Sequence, residues 1–158
     1  MQPKNNKRTI RAWAFFDWAN SAYNLVITST IFPAYYVAIT ANENNGNHVT
    51  FFGHIFVNTA LQDYVLAASY LVIALLLPIL TAIADYKGNK RLFMQCFTLI
   101  GALSCGMLFF FNKDTLQSSM LFFGLAAIGY CGGFVFYNSY LPEIATLDMQ
   151  DKDRKSVV

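Results

Sequence analysis

Four long apolar stretches constrain this chain more than any other feature. They run from Ala12 to Ala41, Tyr64 to Ala84, Leu92 to Phe111 and Gln117 to Leu141. A helix needs about 20 mostly apolar residues to cross the hydrocarbon core of a bilayer, and each stretch reaches that length. The sequence therefore predicts an all-α integral membrane protein with four transmembrane helices, at residues 12–41, 64–84, 92–111 and 117–141. The first stretch exceeds the roughly 7–15 apolar residues of a cleaved signal peptide and lacks a clear small-residue cleavage site, so it is read as a span. Charged residues make up only 13% of the chain, about half the usual quarter, which excludes a disordered tail and a basic nucleic-acid module. The partner implied is the lipid bilayer, not nucleic acid.

The charges that remain are sorted. All but one of the 11 Lys and Arg fall in three places: Lys4, Lys7, Arg8 and Arg11; Lys87, Lys90 and Arg91; and Lys152, Arg154 and Lys155. Lys113 stands alone on the other side. By the positive-inside rule both termini are cytoplasmic. Residues 1–11 then form a cytoplasmic tail, 85–91 a cytoplasmic loop and 142–158 a cytoplasmic segment, while 42–63 is an external connector and 112–116 an external turn. The connector begins polar (NENNGNH) and turns aromatic (VTFFGHIF), as expected of a segment at the membrane interface. Trp13 and Trp18 suit either an interfacial anchor or a packing role. No metal or other cofactor is expected. Cys96, Cys105 and Cys131 read as small buried hydrophobes, and His48 and His54, six apart, read as loop residues.

The first span is polar where a lipid-facing helix would not be. Asp17, Asn20, Ser21, Asn24 and Thr28 recur at separations of three, four and seven, which places them on one helical face. An acid at mid-membrane costs about 2.5–3.5 kcal/mol on insertion scales, so such a face should meet protein or a water-filled cavity. It reads as the lining of a substrate pathway, with Asp17 as a coupling group. The same residues would also serve as interhelical glue, with Asp17 attending the helix terminus. In the fourth span Gly129 and Gly133 form a G-x-x-x-G pair that lets a neighbouring backbone approach. Tyr137, Asn138, Ser139 and Glu143 lie near its inner end, beside Pro142.

The turn after the second span reads Thr81-Ala-Ile-Ala-Asp85-Tyr-Lys-Gly88-Asn-Lys90-Arg91. It resembles the signature between the second and third spans of the major facilitator superfamily, G-x-x-x-D-R-x-G-R-[RK], with Asp85, Gly88 and Lys90 in their places. Thr81, Tyr86 and Asn89 depart from it. The segments RAWAFFDWANSAYNLVITSTIFPAYY (11–36), LLPILTAIADYKGNKR (76–91) and FYNSYLPEIAT (136–146) are similar to the fungal vacuolar amino-acid effluxer branch, related to autophagy, and its bacterial relatives. The resemblance implies twelve spans in two six-helix halves with the substrate between them. The chain would then be the N-terminal fragment of a longer transporter whose C-terminal spans are missing. It further implies a secondary active transporter of a small solute, amino acids and protons among the candidates, in the inner membrane of a bacterium or the vacuolar membrane of a fungus. Asp85, Gly88, Lys90 and Arg91 would form a cytoplasmic latch that stabilises one access state. A complete four-helix dimeric exporter and a non-transporting membrane scaffold are the alternatives.

Overall fold

The computed structural model describes residues 6–41 and 46–144. Lys4, Lys152, Arg154 and Lys155 lie outside them. Helix α1 (Lys7–Tyr23) passes through a π-helical segment at Asn24–Thr30 into α2 (Ile31–Thr40), and together they form the first span, Lys7–Thr40. Helix α3 covers Asn58–Lys87 and α4 covers Lys90–Met107, with a 3-10 turn at Leu108–Phe110. A second 3-10 turn, Lys113–Thr115, leads into α5 (Leu116–Ile144), which carries Pro142 in its last turn. Each of the four spans is long and apolar enough to cross a bilayer. Together they make an all-α fold of membrane-spanning helices.

Helices α1 and α3 begin ahead of the apolar stretches, α1 because a capping side chain, not hydropathy, sets its start. Asn6 caps α1 by accepting a hydrogen bond from the Arg8 N–H at 3.0 Å, so the helix begins at Lys7 and not at Ala12. Helix α3 begins at Asn58, within the stretch expected as connector, where the Asn58 Oδ1 accepts from the Thr59 N–H at 2.8 Å. Before it, β1 (His48–Phe51) and β2 (His54–Val57) pair antiparallel with Phe51 opposite His54. Phe52 (φ 47) and Gly53 (φ 81) turn the hairpin with both φ positive, as a type I′ turn requires. A two-stranded sheet leaves both outer edges without backbone partners, which hydrocarbon does not tolerate. The hairpin therefore belongs outside the hydrocarbon core.

Helix α5 is the centre of the bundle. Of its apolar window 56% is buried, against 11% for the first span. Helix α4 packs most closely on it: a Cβ placed on Gly129 would stand 2.5 Å from the Gly101 backbone nitrogen and 2.8 Å from the Phe97 carbonyl. No side chain fits there. Gly133, expected as the second half of the close approach, would meet Thr98 Oγ1 at an ordinary 3.5 Å. Gly132 is the tighter position, with the Phe97 ring 2.4 Å from its would-be Cβ. Towards the hairpin end, Phe32 and Tyr36 of α2 join Leu61, Met120 and Phe123 in a buried cluster, with Phe32 stacked on Phe123 at 4.8 Å. Large apolar side chains such as Leu75 and Phe109 are exposed all round the bundle, as lipid-facing residues are.

Candidate functional site

Helix α1 meets α5 through a ladder of rings. Trp13 stacks on Tyr137 at 4.5 Å, Phe16 on Tyr137 at 5.0 Å and Tyr23 on Tyr130 at 4.7 Å. The separations of three and seven put Trp13, Phe16 and Tyr23 on one face, turned towards α5. The two tryptophans divide their roles: Trp13 packs and directs its indole N–H at the Tyr137 carbonyl (3.5 Å), whereas Trp18 is 71% exposed.

The polar residues flank this ladder. Asp17 is half-buried beside Tyr130 and Tyr137. It has no ion pair among the described residues. The Tyr137 hydroxyl is buried, with the Asp17 side chain as its polar neighbour. Asn20 lines a cavity of about 240 Å³ between α1, α4 and α5, walled by Tyr23, Thr98, Cys105 and Tyr130. Ser21 and Asn24 are exposed. The Ser21 hydroxyl donates to the Asp17 carbonyl at 3.0 Å, a bond spent on its own helix. Thr28 falls inside the π-helical segment, so the 3.6-residue spacing used to place it with the others no longer holds there. One extra residue in the turn rotates everything beyond it by about 100° relative to an uninterrupted α-helix.

The signature turn is built by helix-end chemistry. Gly88 adopts φ 66, the left-handed conformation that suits glycine. The Asn89 N–H bonds the Ala84 carbonyl at 3.1 Å and the Gly88 N–H faces the Asp85 carbonyl at 3.4 Å, the two bonds of a Schellman motif. This reversal brings Lys90 Nζ to 3.0 Å from Asp85 Oδ1. Arg91 does not join them. It turns instead to a cleft between the ends of α1, α4 and α5. Thr81, in place of the signature's first glycine, donates to the Leu77 carbonyl at 2.8 Å, just after Pro78.

One polar site escaped the sequence reading. Buried Asn58 donates from Nδ2 to Thr40 Oγ1 at 3.0 Å, while the Thr40 hydroxyl donates to the Tyr36 carbonyl at 2.6 Å. This pins the end of α2 to the start of α3. Its only signal was an asparagine and a threonine at the margins of apolar runs.

The chain matches, over residues 5–157, the model of a family described as vacuole effluxer Atg22 like. It belongs to that family. It is 35% identical over 133 residues to the uncharacterized MFS-type transporter YxiO of Bacillus subtilis, covering 84% of this chain and 29% of that protein. It is also 32% identical over 120 residues to autophagy-related protein 22-2 of Penicillium rubens, covering 73% of this chain and 19% of that protein. The chain thus spans less than a third of the length of these curated relatives. No solved structure matches it significantly. Fold and relatives together make the chain an integral membrane protein of a transporter family.

Proposed function

We propose that the protein to which this chain belongs is a secondary transporter that moves a small solute by alternating access, with amino acids as the first substrates to test. The observation that carries this is the first span of a family-typical chain. An otherwise apolar helix exposes Ser21 and Asn24, sets Asn20 on a cavity and holds a half-buried Asp17 without an ion pair among the described residues. Polar groups at that depth need water or a solute opposite them. In this reading Asp17, Asn20, Ser21 and Asn24 line the pathway and Asp17 carries the coupling proton, while Thr28 is turned off that face by the π-helical segment. The Asp85–Lys90 pair on the Gly88 turn is the latch, on the cytoplasmic side with both termini. Asp85 and Lys90 satisfy each other in the state described here, so opening the latch exchanges one partner for another at little net cost.

Direct binding on the purified full-length protein tests the pathway. Asn24→Leu should weaken substrate affinity while Leu25→Ala leaves it unchanged. Equal affinity in wild type and Asn24→Leu would reduce the polar face to interhelical glue. Asp17→Asn should abolish accumulation against a gradient but keep substrate exchange, because only the proton-linked step needs a titrating group.

A further inference from the structure

We propose that the cleft where the N-terminal ends of α1 and α4 meet the C-terminal end of α5 binds the phosphodiester of an anionic membrane lipid. The cleft encloses about 510 Å³, within the range of roughly 300–1,000 Å³ typical of small-molecule sites. Arg8, from the first turn of α1, and Arg91, from the first turn of α4, both line it. Asn6, Gln95 and Tyr140 add neutral polar groups, and among the described residues no carboxylate lines the cleft. Neither guanidinium takes part in a salt bridge among the described residues, and Asp85, close in sequence to Arg91, is held by Lys90. Two forked donors on one cleft, with no described anion to satisfy them, suit a phosphate, which guanidinium groups bind in bidentate fashion. Helices α1 and α4 both begin here, at Lys7 and Lys90, so their positive dipole ends add to the same field.

The walls decide between a lipid and a soluble phosphoester. Trp13, Phe16 and Met94 line the same cleft and belong to membrane-spanning helices. Trp and Tyr sit preferentially at headgroup depth, where Trp13, Tyr137 and Tyr140 would hold the glycerol region. Beside the cleft, Phe15 (66%) and Leu92 (56%) are exposed on the flanks of α1 and α4 and offer acyl chains an apolar surface. A ligand with an anionic head and apolar tails satisfies both parts. A basic pocket between helices on the positively charged side of the membrane is a setting in which acidic headgroups bind. This site is separate from the polar face of the first span, and its existence does not depend on the transport reading.

Native mass spectrometry of the detergent-purified protein, titrated with phosphatidylglycerol or phosphatidylcholine, tests the proposal. Wild type should retain phosphatidylglycerol about tenfold more tightly or better. Arg8→Gln with Arg91→Gln should lose about tenfold or more of that affinity, since each arginine supplies a charge-assisted contact. Arg8→Lys with Arg91→Lys keeps the charge but not the fork and should lose severalfold, which guards against a glutamine pair that does not fold. Millimolar inorganic phosphate should not displace the lipid. No preference for phosphatidylglycerol in wild type, or unchanged affinity in both double variants, overturns the proposal. Displacement by inorganic phosphate would assign the cleft to a soluble phosphoester and overturn the lipid.

Discussion

Replacing Gly129 with alanine perturbs the bundle where the α4 and α5 backbones approach most closely. The added methyl would lie 2.5 Å from the Gly101 nitrogen and 2.6 Å from its Cα. Ordinary contact needs almost 1 Å more, and the obstacle is backbone, so no rotamer change relieves it. Helices α4 and α5 must separate by a comparable distance. A gap of 0.5–1 Å forfeits a quarter to a half of each dispersion well along the interface, and overpacking of this kind costs about 1–3 kcal/mol. Alanine recovers up to about 1 kcal/mol of helix propensity over glycine, which leaves a net loss of about 0–2 kcal/mol. Gly106 provides the matched control: it lies in the same helix as Gly101, and a Cβ there meets nothing within 4 Å. Gly106→Ala should be neutral or slightly stabilising. Denaturant unfolding of the purified protein in micelles, followed by helical circular dichroism, measures both. If Gly129→Ala proves as stable as Gly106→Ala, the helices are not held at the separation seen here.

Further outcomes follow from the same structure. Asn58→Ala leaves the α2–α3 junction without its buried side-chain bond and should cost about 1–3 kcal/mol in the same unfolding assay. Asp85→Asn removes an ion pair whose carboxylate is 63% exposed, so stability should change by less than about 1 kcal/mol; transport by the full-length protein should nonetheless fall, and wild-type kinetics would leave Asp85 without a latch role. In a background with Cys96, Cys105 and Cys131 replaced by alanine, a cysteine at Lys113 should react with an impermeant thiol reagent in intact cells and one at Lys87 should not. Labelling at Lys87 would reverse the orientation.

The four membrane-crossing helices were legible because hydropathy at membrane depth is dominated by one term, the cost of exposing polar groups to hydrocarbon. Their ends were less so, since a single capping side chain such as Asn6 moves a helix start by more than a turn. The hairpin was hidden for a different reason. Phe52 occupies a left-handed position in the turn where Asn or Gly would have announced it. Gly129 could be picked out as a packing position from its spacing, but its partner could not: Gly101 lies on another helix, and Gly132, not Gly133, meets the Phe97 ring. Arg91 stands one residue past the signature, and its closeness in sequence groups it with Asp85 and Lys90. In three dimensions the start of α4 splits neighbours, sending Lys90 back to Asp85 and Arg91 to the opposite cleft.

The polar side chains of the first span are enclosed at its hairpin end and more open along α1. Near the hairpin, Thr40 and Asn58 satisfy one another out of contact with solvent, and rings from α2 and α5 fill the space around them. Such a site has one good arrangement and resists change. Along α1 the polar groups are less enclosed: Asp17 is half-buried with no described ion pair, and Ser21 and Asn24 are exposed. The π-helical segment lies between these two regions, where a residue inserted into the turn weakens the regular ladder of hydrogen bonds. Thr30 donates to the Leu25 carbonyl within it. In the transport reading proposed above, this segment is where α1 would pivot while Asn58 and Phe123 hold α2 in place, a movement that would have to break the stacking of Trp13 and Phe16 on Tyr137.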